Sequence, residues 1–487
     1  MEGLEPRGRR ASRWIVPLLV SSGIFAVTFL PALQDFLVQD DYWWLSRARD
    51  AIQSPSLLSG TTGGFLRPLE TWTWVLGFWA SGDSPVGHHA FNLALQWTCG
   101  LLFIGLLRRW GFTPWPAALL VSIWWVSPYA LEATVVCSTR VDSVVLGSWL
   151  GMALVWPGPT DRWTGSRMTA VAALTALALT AKETWVVTPG WFLVLDLWHR
   201  ESHWRSAMRT VRNVMPVVIA YVVVYLSLFS GTAGSFYELS ARPLAKLAVV
   251  AAGFLQTAQL QAGGFDLSWG HLLAVGLLAI LVSLALVLRR RYALAGLALA
   301  GLSIAPTLMS PFLPQRWCLA AYAGFLVFVG DLARGVAGLL ATRLDRRVAA
   351  YPLTFVGLAA LASQLAVARL DLADYRKLGE AYRQVVDEAR AILPQLPRQM
   401  PIVVVRAENL NPLTQITREM QGVPKTLFQR PLGPYGLTEG AWLFDYVGIP
   451  SHLRAHPVED DGRATSQCHA LVFHLVGRCA VSEPARR

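Results

Sequence analysis

The segment WIVPLLVSSGIFAVTFLPAL (14–33) contains no charged residue, and QDFLVQDDYWWLSRARD (34–50) follows it directly. A helix of about twenty apolar residues is long enough to cross the hydrocarbon core of a bilayer. Basic residues precede the apolar segment, and no convincing small-residue cleavage site lies before Pro31. The sequence therefore predicts an uncleaved first membrane span with a cytoplasmic N-terminus.

Similar apolar runs recur along the chain. Hydrophobic residues make up 54% of the 487 residues, and charged residues make up only 15%. A soluble protein is nearer about a quarter charged, so this composition predicts an all-α polytopic membrane fold. The same hydrophobicity excludes disorder over most of the length. Eleven spans are predicted within residues 1–368, at 14–33, 88–107, 114–131, 141–157, 168–181, 184–198, 213–230, 271–289, 292–310, 318–334 and 348–368.

The positions of Lys and Arg predict the orientation of these spans. With eleven spans and a cytoplasmic N-terminus, nineteen cations fall inside and eight fall outside before residue 369. This asymmetry is typical of membrane proteins, so the net charge of +11 predicts no nucleic-acid partner. Counting the apolar segment 243–262 as a span would export Arg289–Arg291, so it is predicted to lie in the outer leaflet. The compact loops favour a bacterial inner (plasma) membrane.

Residues 369–487 differ in character from the rest of the chain. The pattern predicts a charged helix over 371–392 and short strands over 402–405 and 470–475, separated by turns rich in Pro and Gly. This predicts a small C-terminal α/β domain on the extracytoplasmic side. Cys468 and Cys479 would then lie in a compartment where disulfides form.

Charged and polar residues gather at the predicted outer ends of the spans. A charged side chain within a bilayer costs about 2.5–3.5 kcal/mol on insertion scales. A cluster of unlike charges at one membrane face therefore suggests a site for an anionic lipid-linked substrate together with a base. Solvated loop edges, snorkelling and simple ion pairs remain open as alternatives. The cluster comprises Asp40, Asp41, Arg67, His88, His89, Glu132, Arg140, Asp142, Lys182, Glu183 and Arg316.

Two further patterns have mainly structural interpretations. His88 and His89 are adjacent, and adjacent side chains on a helix point about 100° apart, so joint metal ligation is not predicted. The Trp-rich segments predict belts at the membrane interface. Trp43 and Trp44, beside the acidic pair, are also candidates for stacking on a sugar. The other belt candidates are Trp72, Trp74, Trp79 and Trp124–Trp125.

The order of several short motifs between about residues 14 and 330 resembles the polytopic GT-C glycosyltransferases. The resemblance is to the O-mannosyltransferase branch with transmembrane and tetratricopeptide parts, and to its bacterial relatives. The matching elements are Asp40-Asp41, Arg67-Pro68, Gly87-x-His89-x-x-Asn92, Pro128-x-x-x-Glu132, Arg140-x-Asp142, Lys182-Glu183 and Arg316 with Tyr322. The chain departs from the family pattern at Gln96 and Trp317, where His and Tyr are common, and no tetratricopeptide repeats follow.

The resemblance implies an inverting transfer of a sugar, such as a hexose, from a polyprenyl-phosphate donor at the outer face. Asp40 or Asp41 would be the catalytic base, with the family favouring the first. The other carboxylate would orient the acceptor or hold a divalent cation, Mg²⁺ or Mn²⁺. Cations would bind the donor phosphate: Arg140, Lys182 and Arg316. Other residues would line the site: Trp43, Arg67, His89, Asn92, Glu132, Asp142 and Glu183.

The partners implied are membrane lipids, a lipid-linked sugar donor and an acceptor that is a protein, a lipid or a glycan. A second hypothesis is a lipid-linked glycan flippase or transporter. Transporters tend to have internal repeats and charges at the bilayer midplane, and the sequence shows neither. A glycan polymerase or ligase would use the same class of donor. A non-catalytic descendant is a fourth possibility, which the intact Asp40-Asp41 pair disfavours.

Overall fold

The structure is a computed structural model of the 487-residue chain. It describes residues 7–38, 40–56, 61–62, 65–182, 187–200, 204–229, 243–255, 269–308, 315–392, 402–406, 458–459, 469–474 and 478–482. For some residues within these ranges, among them Asp40, only the backbone is described.

Fifteen α-helices form the body of the described part of the chain. They are α1 (Arg7–Phe29), α2 (Asp40–Gln53), α3 (Pro68–Ser81), α4 (Pro85–Arg109), α5 (Pro114–Trp125), α6 (Pro128–Val135), α7 (Arg140–Val155), α8 (Gly165–Ala181), α9 (Thr188–Val194), α10 (Trp204–Phe229), α11 (Pro243–Phe254), α12 (Trp269–Val287), α13 (Arg291–Leu308), α14 (Leu319–Leu340) and α15 (Arg346–Ile392). A two-stranded antiparallel ribbon, β1 (Thr61–Thr62) and β2 (Phe65–Leu66), precedes α3.

The helices confirm a multi-pass membrane fold. Within the described residues, six helices are long and apolar enough to cross a membrane, and eight spans result if two bent helix pairs each count as one. These eight coincide with predicted spans. The other three predicted spans fall on α7, α8 and α9, which are shorter. Helix α11 has only 12 residues. That length corresponds to about 18 Å of helix, which is too short to span a bilayer.

Proline positions explain where one span breaks. Pro128 stands at the start of α6, where its missing N–H costs no helical hydrogen bond. The Ser127 hydroxyl accepts a hydrogen bond from the backbone N–H of Ala130 at 3.3 Å and caps this start. Because a proline cannot continue the preceding helix, α5 ends at Trp125 and the two axes diverge by 63°. The end of α6, at Ala133–Val135, is buried in the interior of the protein.

The tryptophan prediction was partly wrong. Trp72 and Trp79 are exposed, as expected of an interface belt, but Trp74, Trp124 and Trp125 are fully buried in the helical core. The Trp124 indole N–H donates to the Leu319 carbonyl at 3.1 Å, so tight helix packing satisfies its polar atom. Composition alone does not separate belt from core tryptophans, because both suit an apolar setting.

Small residues allow α13 and α14 to pack in backbone contact. A Cβ atom on Gly296 would lie 2.6 Å from the Gly324 carbonyl oxygen, and one on Gly324 would lie 2.7 Å from the Gly296 carbonyl oxygen. Such close approach is typical of helix pairs in membranes, where van der Waals packing replaces the hydrophobic driving force.

We expect Gly296→Ala to destabilise the protein by about 1–3 kcal/mol, because the added methyl group overlaps backbone atoms that cannot rotate away. Gly301→Ala on the same helix is the matched control, since its Cβ meets nothing within 4 Å. Thermal unfolding in detergent measures both variants. Equal melting temperatures for the two would contradict this account of the helix contact.

The tail contains the predicted helix and strands. Helix α15 continues without interruption across the predicted domain boundary at residue 368 and covers the predicted helix 371–392. Strands β3 (Ile402–Arg406), β4 (Val458–Glu459), β5 (His469–His474) and β6 (Arg478–Ser482) form a sheet in the order β4-β3-β5-β6. Strand β3 pairs in parallel with β4 and β5, and β6 is antiparallel to β5. Cys468 and the side chain of Cys479 lie outside the described residues.

Candidate functional site

The second carboxylate of the acidic pair binds the turn between α6 and α7. Asp41 is fully buried, and one of its oxygens accepts hydrogen bonds from the backbone N–H groups of Val38 at 3.1 Å and Cys137 at 3.3 Å. The other accepts the N–H of Ser138 at 2.5 Å. These last two donors lie just before α7, where backbone N–H groups lack helical partners and favour an anion. Asp41 therefore joins the start of α2 to the turn between α6 and α7.

Burial raises the pKa of Asp41 to about 6, although the backbone donors and the nearby Arg140 oppose the rise. The folded pKa therefore lies above the ordinary value of 3.8. Asp41 therefore binds its proton more tightly in the folded state than in the unfolded state. Its contribution to the free energy of unfolding is largest where both states are protonated, at pH values below about 4. This contribution, about 3 kcal/mol, is lost as the pH rises through about 6.

We therefore expect the melting temperature of the wild type, relative to that of Asp41→Asn, to fall between about pH 4 and about pH 7. Asparagine does not titrate, so the comparison isolates this carboxyl group. A difference that stays constant or increases over this range would contradict the assigned pKa.

Arg140 lies beneath the same turn and is completely buried. Its Nε donates to the Cys137 carbonyl at 2.9 Å, and its Nη1 donates to the Thr73 carbonyl at 3.3 Å. The guanidinium carbon lies 4.1 Å from the ring centroid of Trp74, a cation–π distance. The His88 ring stacks on the same indole at 5.2 Å. Arg140 is thus held rigidly, with its charge close to Asp41.

His89 and Asn92 fix the other side of this turn. His89 is buried, with its Nδ1 3.5 Å from the Cys137 sulfur. The Asn92 side-chain nitrogen, which carries two N–H groups, lies within hydrogen-bonding distance of the carbonyls of Ala133, Thr134 and Val136, at 3.1, 2.8 and 3.2 Å. These carbonyls lie at the end of α6, where helical partners run out. Asn92 therefore holds the end of α6 in place.

A second group of charges comes together from distant parts of the sequence. The Lys182 ammonium lies 2.5 Å from one Asp142 oxygen, and the Arg316 Nε lies 3.8 Å from the other. Arg316 also pairs with Glu132 through its side chain, and its backbone N–H donates to the same carboxylate at 3.2 Å. Lys182 lies 5.4 Å above the Trp317 ring. The result is a network of two cations, Lys182 and Arg316, and two anions, Asp142 and Glu132.

Both groups of charges are arranged around the turn between α6 and α7. Asp41 and Arg140 contact the turn at Cys137–Thr139, while Glu132 and Asp142 stand just before and just after it. The Thr139 hydroxyl lies within hydrogen-bonding distance of the Glu132 carbonyl at 3.2 Å and the Val136 carbonyl at 2.7 Å. The segment from Glu132 to Asp142 therefore contributes residues to both groups, while Asp41, Lys182 and Arg316 reach it from other parts of the chain.

The remaining predicted residues are placed less centrally or fall outside the description. Arg67 pairs at 3.2 Å with Glu70, which is buried. Trp43 packs edge-on against Trp44 at 4.7 Å. Glu183 and the side chain of Asp40 lie outside the described residues, although the backbone of Asp40 begins α2. In the part of the chain that the structure describes, no group of three or more His, Cys, Asp or Glu could hold a metal ion.

Two solved structures are similar to nearly the whole chain. The crystal structure of ArnT from Cupriavidus metallidurans bound to undecaprenyl phosphate is 16% identical, covers 94% of this chain and 92% of its own, and has a TM-score of 0.46. The apo structure of ArnT from the same organism is 17% identical, covers 95% and 93%, and has a TM-score of 0.49. No family model and no curated protein matches the chain. The similarity concerns the course of the backbone alone.

Some residues of this region were not singled out by sequence reasoning. The backbone donors Cys137 and Ser138 carry no signal in their side chains, and Trp74 was assigned to a belt. Asp35, which pairs with Arg376 on α15, gave one usable signal. It is an acidic residue directly after an apolar span, where a charge requires a partner or water.

Proposed function

We propose that this protein is an integral membrane inverting glycosyltransferase. It would move a sugar from a polyprenyl-phosphate donor to an acceptor on the extracytoplasmic face. The supporting observation is the convergence of Lys182 and Arg316 on Asp142. These cations come from motifs that are far apart in the sequence, and they gather beside the segment that Asp41 binds. A leaving lipid phosphate needs fixed cations of this kind.

We propose Asp40 as the base. An inverting transfer needs a carboxylate that removes the acceptor hydroxyl proton while the phosphate leaves from the opposite side of the sugar. The oxygens of Asp41 already accept three backbone N–H groups, which suits a positioning role. Asp40 is the other carboxylate of the pair and directly precedes Asp41 in α2.

Lys182 and Arg316 would bind the donor phosphate. In the structure their charges are balanced by Asp142 and Glu132, and a phosphate would displace part of this pairing. Arg140 is fully buried and already donates to two carbonyls, so its contribution would be the positive charge that it places near Asp41. Asp142 and Glu132 would keep Lys182 and Arg316 in position between turnovers.

The test is purified protein in vesicles supplied with a panel of polyprenyl-phosphate sugars and candidate acceptors, with products identified by mass spectrometry. The proposal expects loss of sugar from one donor, release of polyprenyl phosphate and a glycosylated acceptor with inverted configuration. Cell-surface glycans and glycoproteins with and without the protein identify the acceptor. Donor that crosses the bilayer unchanged would instead indicate a flippase, and transfer of whole oligosaccharides would indicate a polymerase or ligase.

The outer-face assignment has its own test. Reporter fusions after residues 205 and 400 should give a cytoplasmic signal at the first and an extracytoplasmic signal at the second. A cytoplasmic signal at 400 would contradict the proposed orientation.

A further inference from the structure

The part of α15 beyond residue 368 contacts the short connection between α1 and α2. The Arg376 Nε donates to an Asp35 carboxylate oxygen at 2.9 Å. One turn further, a Cβ on Gly379 would lie 3.0 Å from the Phe36 carbonyl oxygen. Another turn on, the Arg383 guanidinium lies 4.5 Å from the ring centroid of Phe36. Residues spaced by three and four share one face of a helix, so this face is continuous.

The Asp35 contact is more than an exposed ion pair. Exposed pairs contribute little, because water solvates both partners. The Asp35 side chain is only 7% exposed, whereas that of Arg376 is 50% exposed. Burial raises the pKa of Asp35, and the pairing with Arg376 counteracts this rise. Without Arg376 the carboxylate would remain buried, and the connection would have to move to solvate it.

The same connection ends at the acidic pair. Only a few residues separate Asp35 from Asp41, whose backbone N–H donates to the Val38 carbonyl at 3.0 Å. The Asp41 carboxylate in turn binds Ser138. The connection is therefore held at Asp35 by α15 and at Asp41 by the turn between α6 and α7.

We propose that residues 369–392 of α15 form a strap that positions the acidic pair, with Arg376 as a positioning residue that acts through Asp35. This inference rests on the proposed transferase function. The proposal gives a role to the start of the C-terminal region, because the strap couples that region to the connection that leads to Asp40 and Asp41. Arg376 itself touches neither the donor nor the acceptor in this proposal.

The first test separates turnover from donor binding. Misplacement of reacting groups by about 1 Å costs up to roughly 100-fold in rate, so we expect Arg376→Gln to lower kcat by about tenfold or more. The KM for the polyprenyl-phosphate sugar should stay within about twofold, because the cations that bind phosphate are untouched. Lys377→Gln is the matched control, since Lys377 is the next residue, carries the same charge and pairs at 3.8 Å with Asp374 of α15 itself rather than with the connection.

A double-mutant cycle identifies the path of the effect. Asp35→Asn combined with Arg376→Gln should be no slower than either single variant, because both remove the same contact. Arg376→Lys should restore part of kcat. If Arg376→Gln fails to accumulate, Asp35→Asn and Arg376→Lys provide the same comparison. A wild-type kcat in these variants, or a raised KM with unchanged kcat, would overturn the positioning role.

The second test does not depend on activity. A Cβ on Gly379 would lie 3.3 Å from the Phe36 Cβ. The Cβ atoms of a disulfide are separated by roughly 3.5–4.5 Å, so a small adjustment would allow the bond to form. We expect Phe36→Cys with Gly379→Cys to cross-link on oxidation in the full chain, with Cys468 and Cys479 replaced by Ser.

Peptide mass spectrometry detects this cross-link. Its absence would overturn the strap. A cross-link that forms in a chain whose wild-type counterpart shows no transferase activity would refute only the proposed function, so the two failures are distinguishable.

Discussion

Asp40→Asn is expected to lower the rate of sugar transfer by about 10²–10⁴-fold, the range that a positioned general base contributes. The amide cannot accept the proton of the acceptor hydroxyl, while its size and shape are nearly those of the carboxylate. Membrane insertion and the melting temperature should remain close to wild type. Transfer assays in vesicles, with the amount of inserted protein measured in parallel, provide the comparison.

Asp50→Asn is the control for this variant, because Asp50 lies on the same helix α2 and is exposed. It should retain wild-type activity. Asp41→Asn separates the two roles within the pair: it should lower activity through a distorted loop and also change the melting temperature. Full activity in both Asp40→Asn and Asp41→Asn would refute the assignment of the base to this loop.

Lys182→Gln is expected to lower kcat/KM for the donor by about 100-fold, as the loss of a fixed group facing developing negative charge does in other enzymes. Asp142 is only 9% exposed and loses its nearer partner in this variant. We therefore also expect a loss of stability of about 3–5 kcal/mol. Stability and activity change together in this single variant, and a second variant has to separate them.

Lys182→Gln combined with Asp142→Asn separates the two effects. The double variant has no unpaired buried carboxylate at this position, so its melting temperature should recover. Its donor kcat/KM should stay low, since the phosphate still lacks a cation. Recovery of both quantities would show that Lys182 has only a structural role. Arg167→Gln, at the other end of α8 in an exposed pair with Asp161, should change neither quantity.

Several features of the chain were predictable from local patterns. Apolar runs such as 14–33 and 348–368 predicted helices that are long and apolar enough to cross a membrane, and the structure contains them. Such a helix is predictable locally because it satisfies its backbone hydrogen bonds within itself. The strands near 402–405 and 470–475 and the helix at 371–392 followed from period and turn residues. The candidate cluster followed from charges at span ends, which are costly unless they are paired or used.

The partners of those charges were not predictable. The sequence leaves simple ion pairs open as an alternative at the span ends without specifying which residues pair. The structure pairs both Glu132 and Asp142 with Arg316 and adds Lys182 to Asp142. Arg140, which is close to Asp142 in the sequence, instead turns toward Trp74 and the Cys137 carbonyl. The choice depends on the sharp break before α6 and on the turn before α7, which no local pattern specifies.

Local sequence patterns were enough to predict a helical membrane protein with a cluster of charges at the ends of its spans, because hydropathy and charge are properties of each segment alone. Three contacts became visible only once the chain was folded. Asp41 binds the N–H groups before α7, Asp142 pairs with both Lys182 and Arg316, and Arg376 of α15 pairs with Asp35. These contacts join residues that are distant along the chain. They depend on how helices bend and cross, which arises from packing among all of them at once.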